Sequence, residues 1–341
     1  RMVRIPRKSL SPGVVAVRQS LGSGLPSASA TSTVPAMAPT PIILDTDIGD
    51  DVDDVFALLL AVRDPAYDLR AVTCTYGQVE VRARLARHVL DTAGRTDVPV
   101  AIGSSNVLGG LVSPGAPGNT MASNDPDLPE LGSRGWDGLG ARLDHRFGPD
   151  LIVDLVRHST EPITLCAIGP LTNVALALRA APDIATRLGA LVIMGGRLGP
   201  ESAIGEHNFN MDPEATAIVL ASGAPIRLGT FEVTRDAVLG TADVDRLRTG
   251  DAACQSAGAQ LSRYLAHRNR VTTSMYDPAS LTLAIDERWV QCEPMALRIE
   301  TGPRLATTHV VQGAPSNARA SVAIDAEGFT SHLMTTILGQ G

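Results

Sequence analysis

The chain has 341 residues, 44% hydrophobic and 19% charged, the make-up of a globular protein with a sizeable core rather than a fibrous or disordered one. A formal net charge of −7 and a pI near 5.5 argue against nucleic acid or an anionic membrane as the main partner. No apolar run reaches the roughly 20 residues that a membrane helix needs.

Residues 1–40 stand apart from the rest. They hold no acidic residue, carry Arg1, Arg4, Arg7, Lys8 and Arg18, and then turn rich in Ser, Ala, Thr and Pro. The segment reads as a disordered or misassigned N-terminal extension with initiation at Met37, a transit-like leader being the other reading. Residues 14–17 are too short an apolar core for a secretory signal. The predicted catalytic domain is therefore 41–341.

Within it, short apolar runs and amphipathic segments alternate. A strand over 41–44 leads to a helix over 53–62, then a strand over 69–75 and a helix over 80–93. In that helix apolar positions recur every three or four residues, with arginines on the other face. A strand over 99–101 precedes a Gly-, Pro-, Ser- and Asn-rich stretch, 108–134, which reads as a long loop of the kind that covers a site. There follow a helix over 151–158, a strand over 163–167, a helix over 171–180 and a strand over 190–194. Next come an irregular stretch over 195–210, a helix over 213–221, a strand over 226–228 and a helix over 252–270. The last 50 residues read as a mixed appendage ending in a helix near 332–338. This alternation predicts an α/β fold with an open, mostly parallel central sheet flanked by helices.

Cys74, Cys166, Cys254 and Cys292 lie far apart without C-x-x-C spacing and read as reduced, mostly buried thiols, as in a cytoplasmic protein.

The most informative segment runs from Asp45 to Asp54, with six aspartates in ten positions between an apolar strand and a buried helix. Carboxylates that close repel unless a cation lies among them, and oxygen-only ligands suit a hard divalent ion. A solvated helix cap accounts for one or two of them, not six. An EF-hand loop counted from Asp45 needs Gly and Glu where Asp50 and Phe56 stand, so that motif is absent. A haloacid-dehalogenase-like phosphatase also opens with a strand and D-x-D, Asp45 then being nucleophile and Asp47 acid/base. It wants a downstream lysine, and Lys8 is the only lysine here.

Three further motifs follow. Gly169-Pro170-Leu171-Thr172-Asn173 ends a strand and starts a helix, alone a plain strand–turn–helix join. Met194-Gly195-Gly196 is followed by Glu206-His207-Asn208-Phe209-Asn210-Met211-Asp212-Pro213-Glu214. Here Glu206, Asn208 and Asn210 offer donors and acceptors that suit vicinal hydroxyls, and Asp212-Pro213-Glu214 is a helix entry. Tyr276-Asp277-Pro278 alone is a turn or cap.

In this order the four segments closely resemble the nucleoside hydrolase family of inosine-uridine preferring N-ribohydrolases, over residues 41 to about 335. The resemblance implies Ca2+-dependent hydrolysis of the N-glycosidic bond of a ribonucleoside to ribose and free base, a purine/pyrimidine salvage activity. It implies Asp47, Asp54, Asp277 and the backbone carbonyl of Ile168 as metal ligands, Asp47 also taking the proton of the attacking water. Asp53, Glu206, Asn208 and Asp277 would hold the ribose. The implied partner is a small-molecule ribonucleoside, with no nucleic acid or membrane, in a homodimer or homotetramer.

Several positions depart from the family pattern. The spacing from Asp47 to the aspartate pair is two residues longer than in the short form of the motif, leaving Asp51 a rival to Asp53 and Asp54. Gly77-Gln78 stands where many members have G-N. Tyr276 replaces a histidine linked to protonation of the leaving base, and a phenol with a pKa of about 10 is a weaker acid. Trp136 and Asp137 stand where another histidine is expected. These absences support an alternative, a ribose- or nucleoside-binding protein without turnover. His207 is expected to point away from the site by neighbour parity, and Tyr264, His267 and Arg268 read as a solvated helix face.

Overall fold

The computed structural model describes residues 2–4, as backbone only, and 38–110, 142–198, 205–301 and 306–340. Its elements in chain order begin with β1 (Met2–Arg4), β2 (Thr40–Thr46), α1 (Asp53–Arg63), β3 (Tyr67–Cys74), α2 (Val79–Thr92) and β4 (Val100–Ile102). Then come α3 (Gly148–His158), β5 (Thr164–Ala167), α4 (Thr172–Ala180), β6 (Ala190–Met194), α5 (His207–Met211), α6 (Pro213–Leu220) and β7 (Ile226–Gly229). The chain continues through α7 (Phe231–Thr234), β8 (Val238–Gly240), α8 (Thr241–Leu247), α9 (Ala252–His267), β9 (Thr272–Ser274) and α10 (Tyr276–Leu281). It ends with β10 (Val290–Met295), β11 (Leu297–Ile299), β12 (Thr308–Val310), β13 (Ala318–Asp325) and α11 (Ala326–Ile337).

Side chains along β2 alternate between two apolar clusters. Ile42 and Leu44 join the core under α1, α2, α9, α10 and α11, while Ile43 joins the core under α3, α4 and α6. A strand buried on both faces needs helices on both, and the sheet is accordingly parallel from β4 to β13 in the order β4-β3-β2-β5-β6-β7-β13. Among the described residues only β1 and β10 join this sheet antiparallel, both onto β13. The predicted open, mostly parallel sheet is thus present.

The topology locates the site. From β2 the chain winds outward through β3 and β4; from β5 it winds the other way through β6 and β7. The switch point lies between β2 and β5, and in such sheets the crevice at the carboxyl ends of those two strands is where ligands bind.

Three expectations are corrected. The terminal region is no mere appendage, since β13 is a full member of the sheet beside β7. Its sequence, Ala-Arg-Ala-Ser-Val-Ala-Ile-Asp, packs by small residues and lacks the branched apolar run that marks β2. The stretch 195–210 is not irregular to its end, because Glu206 caps α5. On α2, Arg82 and Arg87 are fully buried rather than on a solvated face. Arg87 donates to the carbonyl of Val98 at 2.7 Å and to Asp91 at 2.8 Å; Arg82 belongs to the site.

All four cysteines are free and buried. Among the described residues no helix is long and apolar enough to cross a membrane. Of the loop expected over 108–134 only 108–110 lie within the described residues, and Trp136 and Asp137 lie outside them.

Candidate active site

Beyond Thr46, the last residue of β2, the chain turns through 47–52 and delivers Asp53 and Asp54 to the first turn of α1, where the helix dipole favours carboxylates. Asp277 sits in the first turn of α10, and its backbone N–H donates to Asp53 Oδ2 at 3.2 Å. One oxygen from each of Asp53, Asp54 and Asp277 lies within 4.8 Å of the other two, and all three residues are buried. Burial pushes each carboxyl pKa well above its ordinary value, and repulsion from neighbouring aspartates, Asp47 and Asp51 among them, pushes further. The hydroxyl of Thr46 donates to Asp54 Oδ1 at 2.5 Å. Three buried acids at this separation cannot all ionise without a cation, and an all-oxygen donor set fits a hard divalent ion.

Asp47 lines the same cavity, which holds about 600 Å³. Burial pushes its pKa up to about 6, with Arg82 and His207 pulling the other way. The turn after β5 comes against it through Gly169. A Cβ there would lie 2.8 Å from Asp47 Oδ1 and 2.9 Å from its backbone nitrogen, so only glycine permits the approach. The plain join of the Gly-Pro-Leu-Thr-Asn motif therefore has a positioning duty.

Glu206 and Asn208 line the same cavity. The Glu206 carboxylate accepts N–H bonds from Asn208 at 2.9 Å, Phe209 at 3.1 Å and Gly196 at 3.0 Å, fixing it in place. Gly196 supplies its amide from a left-handed backbone, φ +76°. Asn208 Nδ2 donates to the carbonyls of Ile168 at 2.8 Å and Met194 at 3.2 Å, tying the ends of β5 and β6.

The strand ends are bound together below the cavity. Asp45 Oδ1 accepts from Thr73 Oγ1 at 2.5 Å and Asn173 Nδ2 at 2.7 Å, while its other oxygen is buried without a partner. Burial pushes the Asp45 pKa up to about 7. Thr172 Oγ1 donates to Asp212 Oδ2 at 2.6 Å, and Asp212 Oδ1 caps α6 through Ala215 at 3.0 Å, so two sequence motifs meet at one bond.

At the mouth the chemistry changes. Phe231 and Tyr276 stack with ring centroids 5.5 Å apart at 18°, and the Arg197 guanidinium lies 4.1 Å over the Phe231 ring. Burial raises the Tyr276 phenol pKa. His207 and Arg268 complete this rim.

The structure brings Asp47, Asp53, Asp54, Ile168, Glu206, Asn208 and Asp277 to one cavity. Asp53, expected at the ribose, belongs to the tight trio with Asp54 and Asp277, and Asp47 stands outside that trio. Two expectations change. His207, the first residue of α5, lines the cavity rather than pointing away. Tyr264 is buried, not solvated, and its hydroxyl donates to Asp51 Oδ2 at 2.9 Å. Sequence reasoning missed Arg82, although position 82 falls in phase with the apolar residues Val79, Ala83 and Ala86. An arginine in an apolar stripe near six acids was the available signal. Phe231 and Arg197 left no comparable mark.

The chain is similar to known proteins over most of its length. Residues 42–331 match the family model described as inosine-uridine preferring nucleoside hydrolase. The pyrimidine-specific ribonucleoside hydrolase RihA of Salmonella arizonae is 31% identical over 316 residues, covering 86% of this chain and 96% of that one. A purine-preferring ribonucleoside hydrolase from Gardnerella vaginalis superposes with a TM-score of 0.73 at 25% identity, covering 88% of this chain and 99% of the other. A plant nucleoside hydrolase gives a TM-score of 0.70 at 26% identity, with coverage of 88% and 99%.

Proposed function

The chain belongs to the inosine-uridine preferring nucleoside hydrolase family, an N-glycosyl hydrolase family, and on that premise we propose that it hydrolyses ribonucleosides to ribose and free base with calcium as its metal. The observation that carries the proposal is the buried trio Asp53, Asp54 and Asp277, open to the same cavity as Asp47. The Ile168 carbonyl borders that cavity as a further oxygen donor. Asp53, Asp54 and Asp277 would hold a hard divalent cation there, which would neutralise the carboxylates and supply Lewis-acid polarisation of a water molecule.

The chain's own residues do the rest. Asp47 accepts the proton of the attacking water as its oxygen bonds the anomeric carbon. The C–N bond breaks and its electron pair leaves with the base nitrogen. The sugar passes through oxocarbenium character, which the surrounding carboxylates stabilise in a site shielded from water. Glu206 and Asn208, locked by backbone bonds, present fixed oxygens to the ribose hydroxyls, and Asp53 and Asp277 reach the sugar from the other side. The Tyr276 hydroxyl, a weak acid whose pKa burial raises further, would supply the proton that the departing base nitrogen takes up.

The test is release of reducing sugar from inosine, uridine and p-nitrophenyl riboside, before and after chelation, with calcium or magnesium restored. Turnover lost on chelation and recovered with calcium is expected. Binding of nucleosides without sugar release would instead support the binding-protein reading, and phosphate release from p-nitrophenyl phosphate the phosphatase one.

A further inference from the structure

The turn over 47–52 holds the reacting aspartate at one end and the metal-facing pair just beyond the other. Its own middle residues do not complete the trio. Asp50 and Asp51 instead face two partners on different helices. Arg82, on α2 and with a side chain 0% exposed, donates from Nη2 to Asp50 Oδ2 at 2.6 Å and from Nη1 to the Ile48 carbonyl at 3.1 Å. Its Nε donates to the Tyr76 carbonyl at 2.6 Å. Tyr76 holds a left-handed backbone, φ 68°, unfavourable for an aromatic residue, so that carbonyl's position is itself imposed. On the other side Tyr264, on α9, donates to Asp51 Oδ2 at 2.9 Å.

One planar guanidinium thus joins the turn after β2 to the turn after β3, while a phenol braces the same turn from α9. Burying a guanidinium is costly unless its donors are used, and here three different nitrogens each meet an oxygen. Arg82 contacts neither Asp53 nor Asp277 in these bonds. Its geometric effect is to set where Asp47 stands relative to the pair at the head of α1.

We propose that Arg82 is a positioning residue for the hydrolytic reaction, clamping the Asp47–Val52 turn through Asp50 and the Ile48 carbonyl, with Tyr264 as the second brace through Asp51. The proposal rests on the hydrolase reading. A misplacement of about 1 Å at a reacting group costs about 100-fold in rate.

The experiment compares wild type, Arg82→Met, Arg82→Lys, Asp50→Asn and Tyr264→Phe by steady-state kinetics on uridine and inosine, calcium titration calorimetry and thermal unfolding. Arg82→Met is expected to lower kcat by about 100-fold, weaken calcium binding by about tenfold and change KM by less than about threefold. Arg82→Lys keeps the charge but not the planar fork, so it should recover only part of the rate. Full recovery with Lys would replace the clamp by a point-charge role and overturn the proposal. So would a folded Arg82→Met protein with wild-type kcat and calcium affinity. If Arg82→Met does not fold, Asp50→Asn decides: a folded protein with lowered kcat supports the clamp, and unchanged kcat overturns it. Tyr264→Phe should give a smaller loss of the same kind. A wild-type protein that releases no sugar from any ribonucleoside defeats the hydrolase reading itself, a separate outcome.

Discussion

The floor and the mouth of the cavity are built on different principles. The floor consists of strand ends and helix starts that are buried and cross-linked: Asp47 against Gly169, Asp54 to Thr46, Asp53 to the Asp277 amide, Asn208 across β5 and β6. The mouth consists of Arg197, His207, Phe231, Arg268 and Tyr276, carried by connections, short helices and the end of α9, with Phe231, Tyr276 and Arg197 stacked on one another. A reaction that needs fixed relative geometry is served by the rigid sheet edge, and on the proposed function the mouth would meet the base, at positions where substitution disturbs little else.

The contrast breaks most sharply at Asp47. Asp47→Ala is expected to lower kcat by about 1,000-fold on every substrate while the protein remains folded, as measured by sugar release and circular dichroism. A variant that kept its rate would remove Asp47 from the reaction. Next in size is Gly169→Ala, where the added methyl must displace Asp47. A loss of about 100-fold in kcat, with nucleoside KM little changed, is the expected result, and a wild-type rate would mean the approach is not needed.

The mouth should behave differently. Tyr276→Phe removes a weak acid beside the leaving base. We expect turnover of uridine and inosine to fall about tenfold while p-nitrophenyl riboside, whose leaving group departs without a proton, is unaffected. An equal loss on all three would move Tyr276 from the mouth's chemistry to the floor's.

The same division decides what could be read from the sequence. In the floor, the acid density of Asp45–Asp54 at a strand–helix junction marks the sequence by itself, whereas Glu206, Asn208 and Asp277 stood out only through the family resemblance, since Tyr276-Asp277-Pro278 alone reads as a turn or cap. The parallel sheet was legible from β2, β5 and β6, whose double burial writes continuous apolar runs. β13 was not, because alanine and serine pack against neighbours without such a run. Arg82 was read as solvated although its phase was that of a buried position, because the partners that make burial tolerable are 32 and 34 residues away. Phe231 and Arg197 belong together only after folding, and one aromatic and one arginine at unrelated positions carry no periodic signal.

The smallest expected effect is on stability, and it separates floor from surface by its sign. Asp45 and Asp47 have pKa values raised by burial from 3.8 to about 7 and about 6. For a carboxyl raised on folding, the stabilising contribution is complete below the unfolded value and is lost as pH rises through the folded one. Asp251, by contrast, is lowered to about 2 by its hydrogen bond with Arg63, so its contribution is present above 3.8 and lost only in strong acid. Between pH 5 and pH 8 the floor therefore loses stability while this surface pair stays constant. The Tm of metal-free protein should fall across that interval, at about 2–4 °C for each kcal/mol lost. Saturating calcium favours the ionised carboxylates of the floor and should flatten or reverse the trend. A metal-free Tm that rises from pH 5 to pH 8 would mean the floor carboxyls are ionised without a cation, and the charge argument for the site would fail with it.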